Sequence, residues 1–237
     1  HLSQVDRWCR ETAPADVAFL EVSTPDEEGY MSFGASGVAL HTYVRQAAKR
    51  TILQINANVP YVFGEENRIH ISQADAVVCG NTPLMEDPGL AFSDTIQTIS
   101  SYIIDQIPDG ACIQLGLGGV SNAVGYGLKG KNDLGAHSEL MTDSIMELMK
   151  LGVVNNSRKT WHQGQTVAAF SLGSAELYRF IDHNPQMYFM PFPLVNNPVN
   201  IAKNDNMISV NTALSIDLFG QVNADNFAGR QYRATGG

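Results

Sequence analysis

Apolar residues fall along the chain in two alternating rhythms. Short apolar runs, of the kind a buried parallel strand needs, occur at 16–22 (DVAFLEV), 51–56 (TILQIN), 74–80 (ADAVVCG), 111–117 (ACIQLGL), 134–138 (LGAHS) and 166–173 (TVAAFSLG). Between them lie stretches whose apolar residues recur three or four positions apart, as one face of a helix requires. In ALHTYVRQAAKR (39–50), Leu40, Tyr43, Val44, Ala47 and Ala48 share such a face, and Lys49 and Arg50 suit the negative end of that helix. SDTIQTISSYIIDQI (93–107) predicts a helix capped by Ser93 or Asp94 and stopped by Pro108, with Ile96, Ile99, Ile103 and Ile107 inward. SIMELMKL (144–151), closed by Gly152, and SAELYRFI (174–181) predict two more. GGVSNAVGYGL (118–128) leads from a glycine-rich loop into a helix, and 207–225 reads as paired strands with a turn near Gly220.

Strand–helix alternation at this spacing implies an α/β fold with largely parallel sheets and helices on their faces. The segment NTPLMEDPGLAF (81–92), with two prolines, a glycine and two acids, is the best domain boundary. No internal repeat of fixed short period and no low-complexity tract is present.

Composition narrows the function classes. The chain has 237 residues, 44% hydrophobic and 16% charged, enough for a substantial core. A net charge of −9 argues against general nucleic-acid binding, which needs a basic face, but leaves room for a small phosphorylated ligand. No apolar run reaches the roughly 20 residues of a membrane span. Cys9, Cys79 and Cys112 lack metal spacing; with Cys79 and Cys112 in apolar runs, buried inert thiols in a reducing, cytoplasmic compartment are expected. The chain opens on His1 rather than Met and stops at QYRATGG, so a piece of a longer protein is expected.

Candidate chemistry concentrates in two places. GLGGVSNAV (116–124) follows a strand and opens a helix, where loop glycines and a helix N-terminus favour an anion. LGAHSELMTD (134–143) places Glu139 just after an apolar run. From the residues alone Glu139 is a polar loop residue, a ribose-binding acid or a nucleophile. The second reading comes from Gly116-x-Gly118-x-x-Ser121, which nearly spells a dinucleotide fingerprint with an acid about 20 residues further on. Ser121 stands where that fingerprint wants Gly or Ala, and a whole helix and another α/β segment precede its supposed first strand.

Four ordered blocks then carry a resemblance: VSTPDEEGYMSFG, IQLGLGGVSNAV, LGAHSELMTD and NPVNIAKNDNMISVNTALSIDLFGQVNAD. From about Asp16 to Gly237 the chain resembles the acetyl-CoA hydrolase/transferase family, with the 4-hydroxybutyrate CoA-transferase type the closest-looking subgroup. The resemblance implies CoA-transferase α/β architecture in two similar domains, the first incomplete here. Residues 1–84 would be the C-terminal part of the first, and 85–237 the second, truncated at its end and carrying the catalytic glutamate. It implies that Glu139 is that glutamate, and that Gly236 and Gly237 begin a loop lying against CoA. It implies transfer of CoA from an acyl-CoA to a short-chain acid of the acetate, butyrate or 4-hydroxybutyrate class. CoA would be a substrate, with no tightly bound cofactor and no metal; a homodimer or higher homo-oligomer is expected, with no nucleic-acid or membrane partner. An acyl-CoA hydrolase on the same scaffold, a non-catalytic nucleotide-binding domain and an inactive folded fragment are the alternatives.

Such chemistry needs an ionised carboxylate and no general base, so His137 is read as a positioning or structural residue. Backbone N–H groups of Gly116, Gly118 and Gly119 are the candidate oxyanion donors as a group. Asn196, in LVNNP, is the candidate amide for a substrate carboxylate. Asn204, Asn206 and Asp26 read as turn-formers, and Trp8, Trp161 and most Met residues as packing.

Overall fold

The structure is a computed structural model that describes residues 2–12, 14–87, 89 and 91–232. Five strands carry the first part of the chain: β1 (Ala15–Val22), β2 (Tyr30–Ser32), β3 (Ala48–Asn56), β4 (Arg68–His70) and β5 (Ala76–Gly80). Five more carry the second: β6 (Cys112–Leu115), β7 (Gly135–Met141), β8 (Thr166–Ser171), β9 (Met187–Phe189) and β10 (Met207–Val210). The hairpins β11 (Ser215–Ile216) with β12 (Val222–Asn223) and β13 (Asn226–Phe227) with β14 (Arg230–Gln231) follow. The helices are α1 (Val5–Glu11), α2 (Gly34–Gly37), α3 (His41–Ala47), α4 (Asp94–Ile104), α5 (Gly119–Gly127), α6 (Asp143–Lys150), α7 (Ala175–Ile181), α8 (Phe192–Val195) and α9 (Pro198–Ile201).

Two fully parallel sheets result. The first has the order β1-β3-β5 and the second β10-β6-β7-β8-β9. Helices α5, α6 and α7 connect β6 to β9, which is what a parallel ladder demands of its connections. Side chains that accept the first free N–H groups set the starts of α6 and α7. Thr142 accepts from Ile145, and Ser174 from Leu177. Ser93 caps α4 the same way, as its sequence indicates. Ile113, Leu115, Val124, Ile145, Leu148, Ala168 and Leu177 lie in one buried core between the second sheet and these helices. A smaller cluster of Val167, Ala169, Met190 and Val195 packs α8 on the other face.

Several expectations needed correction. The run 39–50 is not one helix: α3 ends at Ala47, and Lys49 and Arg50 belong to β3, where Lys49 pairs with Asp16 at 2.7 Å. The run 207–225 is not one hairpin. Residues 207–210 join the main sheet beside β6, and only β11–β12 turns back, through Gly220 at φ 83°. Cys79 is exposed, because β5 is an edge strand with no buried residue; Cys112 is buried as expected. Trp8 is 55% exposed rather than packed.

One connection ties the two sheets together. Residues 61–65 run alongside β9: Phe189 N–H donates to Phe63 O, Glu65 N–H to Phe189 O, and His183 N–H to Tyr61 O. Asp182 accepts from Tyr61 N–H at 2.7 Å. This strap extends the second sheet beyond β9 with a segment that lies between β3 and β4 in sequence.

Candidate active site

Glu139 sits inside β7, not on a loop beyond it. The strand runs on through His137, Ser138 and Glu139 to Met141. The polar run fits because β7 is the middle strand of five, and each of these side chains has a partner or a wall. Its pairing is unequal on its two edges. Against β8 the register holds to Met141↔Ser171. Against β6 it holds only for Cys112↔Gly135 and Ile113↔Ala136. Beyond that point Gln114 and Leu115 pair with β10 alone, and Ser138 Oγ donates to Leu115 O at 3.2 Å across the parting strands. Strand order reverses at β6, and ligands of open parallel sheets gather where strand ends part at such a point.

His137 pairs with Val167, so His137 and, two residues on, Glu139 face α8. Asn196, the residue that ends α8, donates through Nδ2 to Glu139 Oε2 at 2.6 Å. Glu139 is half-buried and has no cationic partner among the described residues. Burial raises its pKa from the ordinary glutamate value, while the Asn196 hydrogen bond acts in the opposite sense.

His137 is 2% exposed, and its Nε2 lies 2.8 Å from Val195 O. A carbonyl only accepts, so the ring carries its proton on Nε2. Burial lowers its pKa to about 4, with Lys159 and His162 adding to the effect, so the ring is neutral near pH 7. Trp161 lies beside it, ring centroids 5.6 Å apart, and Lys203 Nζ lies over the Trp161 ring, 4.8 Å from its centroid.

The start of β7 is held by residues that sequence reasoning missed. Ala136 N–H donates to Asn156 Oδ1 at 2.9 Å, and Lys159 Nζ donates to Ala136 O and Gln165 O at 2.9 and 2.7 Å. Together they stand in for a β8 residue before β8 begins. Lys159 is 4% exposed, and burial lowers its pKa to about 8. Its place in the polar run NNSRKT gives no hint of this.

The glycine loop follows β6, next to β7. Gly116 N–H is already bonded to Val210 O at 2.9 Å, within the sheet. Gly118 is the N-terminal cap of α5 at φ 136°, a conformation open to glycine, and Gly119 is the first helical residue. Gly236 and Gly237 lie outside the described residues. Asp26 accepts from Glu28 N–H, Tyr30 N–H and Tyr61 Oη, a turn tied to the strap. Asn206 adopts φ 52° just before β10 and accepts from Cys112 N–H. Asn204 is buried, and among the described residues its side-chain amide has no hydrogen-bond partner.

Near the carboxyl ends of β7 and β8 a cavity of about 560 Å³ opens between Leu117, Tyr126, Thr142 and Gly173. Asp87, Asp143, Glu147 and Glu176 also line it. That much negative charge disfavours a phosphate-bearing ligand inside it. Among the described residues no group of three His, Cys, Asp or Glu is placed to hold a metal ion.

Family models for the acetyl-CoA hydrolase/transferase N-terminal domain and C-terminal domain match residues 1–86 and 173–237. The chain belongs to the acetyl-CoA hydrolase/transferase family. Within it, the chain is 40% identical over 237 residues to succinyl-CoA:cyclohexane-1-carboxylate CoA transferase of Geobacter metallireducens, covering all of this chain and 54% of the relative. It is 40% identical to 4-hydroxybutyrate coenzyme A transferase of Clostridium kluyveri over 94% of this chain and 52% of the relative. The crystal structure of 4-hydroxybutyrate CoA-transferase from Porphyromonas gingivalis superposes with a TM-score of 0.88 at 38% identity, over 94% of this chain and 57% of that one. The chain thus spans about half the length of the family members it matches. Its α/β architecture is that of CoA-transferases. No described helix is long and apolar enough to cross a membrane.

Proposed function

We propose that the full-length protein carrying this chain is a CoA-transferase that moves CoA from an acyl-CoA to a short-chain carboxylate of the acetate, butyrate or 4-hydroxybutyrate class, with Glu139 as nucleophile. One observation carries the reading: a carboxylate on the central strand of a parallel sheet, half-buried, lacking a cationic partner among the described residues and oriented by a single amide. A structural acid in that place would be paired with a base or replaced by an apolar residue.

The chemistry follows from that arrangement. Glu139 attacks the acyl-CoA carbonyl, a tetrahedral oxyanion forms, and the thiolate of CoA leaves an acyl-glutamyl anhydride. The thiolate returns to the glutamyl carbonyl, which releases the free acid and leaves a glutamyl-CoA thioester. The acceptor carboxylate runs the sequence in reverse. No proton is taken from the nucleophile, in keeping with a neutral His137 whose proton is committed to Val195 O. The Gly118 and Gly119 N–H groups remain candidates for the oxyanion, each worth roughly 3 kcal/mol if aligned; Gly116 N–H is engaged elsewhere. Asn196 binds Glu139 in this resting state, so its contact with a substrate carboxylate belongs to a later step. Gly236 and Gly237 are proposed to begin a CoA-covering segment that keeps water from the anhydride. CoA acts as substrate, no cofactor is retained, and the working enzyme is a homo-oligomer. Residues 1–84 and 85–237 are assigned to its first and second domains.

Covalent trapping tests this. The full-length protein is incubated with acetyl-CoA, reduced with borohydride and mapped by mass spectrometry, with and without acetate or butyrate. Reduction at Glu139, with CoA passed to the acid, is the expected result. Absence of modification at Glu139 refutes the nucleophile, and loss of CoA to free thiol alone makes the protein a hydrolase.

A further inference from the structure

We infer that His137 is a positioning residue for Glu139, acting through the Val195–Asn196 peptide. The inference rests on the nucleophile assigned above and adds a second residue to that site.

Two rungs join β7 to the end of α8. His137 Nε2 donates to Val195 O at 2.8 Å, and Asn196 Nδ2 donates to Glu139 Oε2 at 2.6 Å. His137 and Glu139 are two apart on one strand and share a face; Val195 and Asn196 are consecutive. The carbonyl held by His137 belongs to the peptide unit that leads into Asn196. Any rotation of that unit swings the Asn196 side chain relative to Glu139. The far end is fixed as well, because Asn196 N–H donates to Phe192 O and Val195 N–H to Pro191 O. Among the described residues, His137 is the β7 side chain that holds the backbone of this peptide, while Glu139 holds only the Asn196 side chain.

A packing role alone does not account for an imidazole here. The side chain is almost fully buried, and among the described residues its Nδ1 has no hydrogen-bond partner. An apolar residue of similar size would fill the space without that cost. What the imidazole adds is the Nε2–H donor aimed at Val195 O. Trp161 backs the ring and limits its rotation, and buried Lys159, through its effect on the ring, favours the neutral form. A neutral ring orients the site without placing a cation beside Glu139, where it would stabilise the carboxylate and blunt its attack.

The experiment is a double-mutant cycle on the full-length protein. His137→Ala, His137→Gln, Asn196→Ala and the double variant His137→Ala/Asn196→Ala are compared with wild type. Readouts are kcat, KM for acetyl-CoA, borohydride-trapped label at Glu139, and thermal midpoint. His137→Ala is expected to lower kcat and the rate of labelling by about 10- to 100-fold, the scale of a misplaced reacting group, with KM changed less than about 2-fold. His137→Gln, whose amide can donate to the same carbonyl, is expected to recover most of that loss. In an Asn196→Ala background the His137→Ala change should cost little more, because both act through one contact. Fully multiplicative losses, or a loss that Gln fails to rescue and that tracks the thermal midpoint, would overturn the positioning role while leaving the nucleophile intact. A wild type that neither transfers CoA nor labels Glu139 would overturn both readings together.

Discussion

Gly64 lies so close against the backbone of Phe189 that no side chain fits between them. The glycine has φ 149°, and an added Cβ would fall inside contact distance of the Phe189 N, C and O atoms. The partner is backbone in a paired strand, so it cannot move aside as a flexible side chain would. Gly64→Ala is therefore expected to destabilise the protein by at least about 2 kcal/mol through overpacking and backbone strain. Urea unfolding of the full-length protein, followed by far-UV circular dichroism, measures this; an unchanged midpoint would mean that the strap is not held against β9 in solution.

Asn196→Asp is expected to move the acid limb of Glu139 labelling to higher pH. Burial already raises the Glu139 pKa, and the Asn196 donor restrains that rise. An aspartate removes the donor and adds a like charge, and both changes favour the protonated glutamate. The ionised Glu139 carboxylate then forms only at higher pH. Single-turnover labelling with acetyl-CoA across pH 4 to 9 reads the shift, and a downward shift or none contradicts it.

Stability is expected to fall as the pH drops from about 6.5 toward 4. His137 and His41 are each lowered by burial to about 4 from an unfolded value of 6.5. In that window the unfolded chain takes up protons that the folded chain refuses, so protonation favours unfolding. The stabilisation is intact above 6.5 and lost as pH falls through the folded values. Carboxylates titrate nearby, so the decisive quantity is a difference: His137→Gln and His41→Gln should each show a shallower fall than wild type in denaturant titrations at pH 7 and pH 5.

Lys159 should act at the other end of the scale. Its pKa is lowered by burial from 10.5 to about 8. The unfolded chain keeps the proton in this interval while the folded chain releases it, so stability rises with pH through 8 to 10.5. Relative to Lys159→Met, wild type should gain up to roughly 3 kcal/mol between pH 7.5 and 10. Paired chemical denaturation curves at the two pH values test it, and parallel behaviour of the two proteins would place the ammonium in contact with water.

What the sequence revealed was mostly local. The buried runs of β6 and β8, the Ser93 cap and the Gly152 stop are visible because a strand needs an apolar run and a helix needs an acceptor for its first N–H groups, whereas the apolar run of β1 is buried on one face only, with Val17 and Phe19 exposed. Residues such as Ser138 and Glu139 misled, since a polar pair ends most strands; here β7 continues because β8 keeps pairing after β6 has turned away. Lys159 was invisible for a related reason. A lysine in a polar run reads as solvated, and only the fold shows that it completes the ladder of Ala136. β10 pairs with β6 across more than 90 positions, which no local periodicity encodes. At the site, the residues alone left Glu139 with three meanings. Its contact with Asn196, 57 residues away, became apparent only in three dimensions, and the proton committed between His137 and Val195 O likewise.

The strap at 61–65 also bears on how the chain is made. Tyr61 meets Asp182 across 121 positions of sequence. At synthesis rates of about 5–20 residues per second, that interval lasts roughly 6 to 24 seconds. For that time the segment carrying Tyr61, Phe63 and Gly64 has left the ribosome with its strand edge bare, before the β9 edge it needs exists. Unpaired edges of this kind are where nascent chains find wrong partners. The strap is in this sense made long before its partner, and its docking on the second sheet is a late, long-range event.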